Sequence, residues 1–120
     1  MTGTILGRKA TLPVTLLLPG QPRLTMEFVL DTGYEGALTL PIAAVELLQL
    51  PFSHRIVTNL ADDSSAPVSV HIATILWNDA AWEVPVLAMG KRPLLGTLLL
   101  ENHDIAMHFA DGGTVEIRPF

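Results

Sequence analysis

The chain contains no cysteine. That excludes a disulfide framework and any thiolate-bound zinc. Charge is scarce as well. Only 16% of residues are charged, and 7 Lys or Arg stand against 12 Asp or Glu, giving a net charge of −5. The dense positive footprint that nucleic acid or an anionic membrane surface requires is missing, so neither is expected as a partner. Long apolar runs are missing too. Stretches such as Thr11 to Leu18 and Leu94 to Leu100 are broken by Pro13 or Gly96, far short of the ~20 residues of a membrane span. Met1 to Lys9 shows no basic start followed by an apolar core, so no signal peptide is expected. There is no internal repeat, low-complexity segment or linker. The expectation is one cytoplasmic domain over residues 1–120, without a cofactor.

What the sequence does have is apolar residues, 49% of the total, in short alternating runs. Leu24, Met26, Phe28 and Leu30 alternate with Thr25, Glu27 and Val29, the period of a strand with one face in a core. Leu12 to Leu18 reads as an earlier strand, joined to it through the Pro19-Gly20-Gln21-Pro22 turn. Ala37 to Leu40 is a short strand. Pro41 suits the first position of a helix over Ile42 to Leu48, which Pro51 closes off. Arg55 to Leu60 and Val68 to Trp77 form a long hairpin around a polar tip, Ala61 to Pro67, with Val68, Val70, Ile72, Thr74 and Leu76 on one face. Asn78-Asp79 turns the chain into Trp82 to Ala88, and the flanking Trp77 and Trp82 read as packing residues. Gly90 to Pro93 is a loop. Thr97 is a plausible N-cap for a short helix ending at Glu101, with Leu98 to Leu100 as its core. Ile105 to Phe109 and Val115 to Ile117 close the chain around Asp111-Gly112-Gly113. The sum is an all-β domain of roughly eight short strands, a closed barrel-like sheet with one or two short helices.

One stretch carries chemistry, Phe28-Val29-Leu30-Asp31-Thr32-Gly33. An apolar strand runs into a carboxylate, then a hydroxyl, then a glycine that permits a tight reversal. A carboxylate on a tight loop between two buried strands is costly to place unless something uses it. The tripeptide alone also fits a surface turn closed by an Asx hydrogen bond, so its context decides. That context is a strand on each side and Leu94-Leu95-Gly96 some sixty residues downstream.

In these elements the sequence resembles the retropepsin-like aspartic proteases, above all their small bacterial members. Phe28 to Gly33, Leu38-Thr39-Leu40-Pro41 and Leu94-Leu95-Gly96-Thr97-Leu98-Leu99 look like that family's motifs, in order, and the likeness runs from about Leu12 to Ile117. The resemblance implies the half-domain of an acid protease. It implies that Asp31 is the catalytic aspartate. Thr32 would hydrogen-bond across a dimer beneath the active site, and Gly33 would let substrate and partner loop approach. Leu94, Leu95 and Gly96 would pack under the active-site loop, and the Arg55 to Trp77 hairpin would be a flap over substrate. Two features depart from the pattern. Tyr34 stands where a small residue is usual, and could line or crowd the cleft. The flap tip, with Asp62, Asp63, Ser64 and Ser65, lacks glycine.

Peptide hydrolysis by carboxylates needs one as base toward water and one as acid toward the carbonyl oxygen. The chain has one Asp-Thr-Gly, and Asp62, Asp63, Asp79, Asp104 and Asp111 lack its context. The second carboxylate is therefore expected from a second copy across a two-fold axis, acting on a peptide or protein substrate. At ~3 Å and an effective dielectric near 20, two such charges repel by roughly 5 kcal/mol, so the pair holds one proton between them. The alternative is a weak or inactive peptide-binding dimer on the same fold, since fold does not fix activity. A metallohydrolase fits poorly, because His54, His71, His103 and His108 lack ligand spacing. A serine hydrolase fits no better, because Ser64 and Ser65 lack a nucleophile elbow.

Overall fold

Alternation in the sequence becomes strand after strand in the computed structural model, which describes residues 1–59 and 62–120. The elements are β1 (Thr2–Leu6), β2 (Lys9–Leu17), β3 (Leu24–Leu30), β4 (Leu38–Leu40), α1 (Ile42–Leu47), β5 (Phe52–Asn59), β6 (Ser65–Trp77), β7 (Ala80–Ala88), β8 (Leu94–Leu95), α2 (Thr97–Leu100), β9 (His103–Met107) and β10 (Thr114–Pro119). The strands form one sheet in the order β5-β6-β7-β4-β8-β3-β2-β1-β10-β9. A second pairing, Leu16 with Ile75 and Leu17 with Thr74, joins β2 back to β6 and closes six of the strands into a ring. The molecule is mostly β with two short helices, as composition and periodicity predict.

Inside the ring sit Leu12, Leu16, Phe28, Leu38, Leu40, Ile75, Trp77, Val86 and Leu95, all fully buried. Each such side chain contributes about 1.5–3 kcal/mol relative to exposure. Leu12, Val14 and Leu16 alternate on β2, which is why that strand can hold β3 on one edge and the core on one face.

Several sequence expectations need correction. The first strand, Thr2–Leu6, was hidden by its small polar residues. It forms because its neighbours β2 and β10 supply partners on both edges. Ser65, Ala66 and Pro67 belong to β6 rather than to the hairpin tip, paired with Asn59, Thr58 and Val57. Leu60 and Ala61 lie outside the described residues. The buried face of β6 also switches, from Val68 and Val70 to Ala73, Ile75 and Trp77. The switch falls where β6 leaves β5 and joins the ring, so a different face meets protein. Trp82 is 47% exposed, so only Trp77 of the tryptophan pair is core. The N-cap position of α2 is Gly96, with Thr97 the first helical residue. Leu98 is exposed while Leu99 and Leu100 are buried, because a four-residue helix has too few turns to hide three consecutive leucines.

Candidate active site

Asp31 follows the last residue of β3, where the strand runs parallel to the two-residue β8. Leu94 and Leu95 thread between β3 and β4, in parallel register with Val29 and Leu30 and antiparallel register with Thr39 and Leu38. This insertion fixes the loop. Asp31 N–H donates to the Leu95 carbonyl at 2.9 Å. Tyr34 N–H donates back to the Asp31 carbonyl at 3.1 Å and closes the turn. Gly33 N–H donates to Asp31 Oδ1 at 2.9 Å. The Asx bond of an ordinary turn is therefore present, and here it aims a half-exposed carboxylate.

The residues after β8 bind the other side of the same loop. Gly96 N–H donates to the Ala37 carbonyl at 2.8 Å, Thr97 N–H to Tyr34 at 2.8 Å and Leu98 N–H to Gly36 at 3.2 Å. Gly96 is required by this close approach. A Cβ there would run into the Gly36 and Tyr34 carbonyl oxygens. Asp31, Thr32, Gly33, Tyr34 and Leu94 to Gly96 are thus brought together.

Thr32 is exposed at the crest of the loop. Two concavities meet at it. One, of about 490 Å³, is lined by Thr32, Glu35, Thr97, Leu98, Leu100, Glu101 and Ile105. The other, of about 280 Å³, includes Arg8, Lys9, Leu30, Thr32, Ile105, Met107 and Phe109. Apolar side chains therefore surround Thr32, with Leu98 52% and Phe109 64% exposed. Acidic groups flank this surface on one side and basic groups on the other.

The tip of the β5–β6 hairpin stands apart. Asp62 Oδ1 accepts from Ser64 N–H at 3.0 Å and from Ser64 Oγ at 2.5 Å. Those bonds hold the fully exposed Asp62 carboxyl below its ordinary range. Asp63 takes a left-handed φ of 64°, a conformation that aspartate tolerates better than most residues. Among the described residues no hydrogen bond ties this tip to the Asp31 loop. Tyr34 does not stand out from the loop. Its phenol folds back toward β4, with Oη donating to the Leu38 carbonyl at 3.4 Å. Burial pushes that phenol above its ordinary pKa.

Sequence reasoning missed Gly36, whose lack of a side chain makes room for the Tyr34 ring, and the Thr97 hydroxyl, which donates to the Tyr34 carbonyl at 3.3 Å. The available signal was a pair of glycines flanking an aromatic residue. Among the described residues no three His, Asp or Glu side chains converge as a metal would require. No protein-family model matches the chain, and no curated protein matches it.

Proposed function

We propose that the chain is a homodimeric aspartic endopeptidase of the retropepsin-like type, each copy contributing one half of a closed acid-protease fold and one Asp31. The observation that carries this reading is a strand-end carboxylate fixed by Leu95 and Gly33 beside an exposed apolar surface centred on Thr32. In the dimer the ionised Asp31 takes a proton from water as that water adds to the peptide carbonyl. The protonated Asp31 of the other copy gives its proton to the carbonyl oxygen. Collapse of the tetrahedral diol breaks the C–N bond, and a proton passes to the leaving amine.

A second copy also answers two features of the single chain. β9 ends the sheet order, so its outer edge meets no strand among the described residues, an exposure that proteins normally cover. A two-fold axis past Thr32 would set Arg8 and Lys9 of one copy against Glu35 and Glu101 of the other. Such rim pairs add little energy individually and weaken with salt.

Cleavage of a peptide library, blocked by a transition-state mimic such as pepstatin, tests the activity. Capture of peptides without cleavage would instead favour a binding dimer. Leu98→Asp tests the interface. The side chain is exposed, so the monomer should fold, yet a charge in the apolar surface should turn a dimer into a monomer by sedimentation and remove activity. A Leu98→Asp chain that stays dimeric would place the interface elsewhere.

A further inference from the structure

Tyr34 is the only tyrosine in the chain, and its surroundings are built to receive it. Gly33 and Glu35 on either side are exposed, whereas Tyr34 is half-buried. Its ring lies in a slot between two glycines on crossing segments. A Cβ on Gly36 would collide with the phenol Oη and Cζ, and a Cβ on Gly96 would fall 2.6 Å from Cδ2. The backbone of Tyr34 is held at both ends. Its N–H closes the turn on the Asp31 carbonyl, and its carbonyl accepts from both the amide and the hydroxyl of Thr97.

The turn is what brings Gly33 N–H to Asp31 Oδ1. If the turn opens, that bond goes and the carboxylate is free to rotate. The ring of Tyr34, the last residue of that turn, is confined between Gly36 and Gly96. Resting on the peptidase reading above, we infer that Tyr34 is a positioning residue for Asp31: its ring, seated between Gly36 and Gly96, clamps the turn that aims the carboxylate and does not select substrate. A bulky residue in this place is accommodated because Gly36 vacates the volume that the phenol fills.

The assignment separates kcat from KM. Misplacing a reacting group by about 1 Å can cost about a hundredfold, so Tyr34→Ala should lower kcat ten- to a hundredfold with KM and cleavage preference unchanged. Tyr34→Phe should stay within about twofold, because the bond it loses, 3.4 Å long, lies at the outer limit of hydrogen bonding. Gly36→Ala should resemble Tyr34→Ala, since the new methyl evicts the phenol. Added to Tyr34→Ala it should cost little more, because the methyl then occupies vacated space. That non-additivity is the signature of groups in contact.

Titration gives a readout independent of turnover. As the sole tyrosine, Tyr34 can be followed by ultraviolet absorbance, and it should ionise above the ordinary value near 10 in the native chain and nearer to it in Gly36→Ala. Because burial raises the folded value, the stabilisation from the neutral phenol is complete below the unfolded value. It is lost as pH rises through the folded one, and Tyr34→Phe should remove that alkaline loss. A Tyr34→Ala enzyme with altered KM or preference and intact kcat would make Tyr34 a cleft residue and overturn the inference. So would additive effects of Tyr34→Ala and Gly36→Ala. A native chain that cleaves nothing would defeat the peptidase reading instead.

Discussion

Asp31→Asn should abolish peptide cleavage and leave the fold intact. The expected loss is about a thousandfold or more, since general acid and base catalysis each contribute about 10²–10⁴. The fold should survive for local reasons. The carboxamide oxygen can still accept from Gly33 N–H, as Oδ1 does at 2.9 Å. The backbone bonds to Leu95 and from Tyr34 do not involve the side chain. Asp31 is partly buried and makes no ion pair among the described residues, so removing its charge leaves no opposite charge without a partner. What the amide cannot do is take a proton from water or share one with its mate. Kinetics on a cleavable peptide, with circular dichroism and sedimentation on the same samples, checks the claim. Turnover like that of the native chain would remove Asp31 from the chemistry.

Gly96→Ala should be strongly destabilising and should act directly on the Asp31 loop. The backbone of Gly96 has φ −101° and ψ −178°, an extended conformation open to alanine, so strain in the dihedrals is not the reason. The reason is space. The added carbon meets the carbonyl oxygens of Gly36 and Tyr34. Relief requires the α2 segment to move off the Asp31 loop, which breaks the hydrogen bonds from Gly96, Thr97 and Leu98 together. Overpacking alone costs about 1–3 kcal/mol, and each lost backbone bond adds about 1 kcal/mol. The expected destabilisation is therefore about 3 kcal/mol or more, a large part of the ~5–15 kcal/mol that holds a domain together. Urea unfolding measures it. A change below about 1 kcal/mol would show that the two segments do not cross as closely as described.

Part of the site is legible in the sequence. Strand β3 and the start of the Asp31 loop follow from alternation and from Gly33. Leu94-Leu95-Gly96 was legible as a motif, but its insertion between β3 and β4 was not, because a two-residue strand has no period to read. The exposed Leu98 and the buried Ala73 both went against pattern. Leu98 depends on how short α2 is, and Ala73 on which strand β6 pairs with after His71. Strand β1 has little alternation of its own and owes its conformation to partners on both edges. The role of Tyr34 lay beyond any local reading, because its slot is formed by a glycine two residues on and another on a distant segment. Proximity in sequence suggested a side chain lining or crowding the cleft, while the two glycines let it fold back toward β4.

One active site is expected to need two copies of Asp31. Mixing native and Asp31→Asn chains in equal amounts, unfolding them and refolding them together lets subunits pair at random. A quarter of the dimers then carry two Asp31, half carry one and a quarter carry none. Because one carboxylate cannot be base and acid in the same step, specific activity per dimer should fall to a quarter of the native value. A fall only to a half would mean that each chain works by itself and would contradict the shared site.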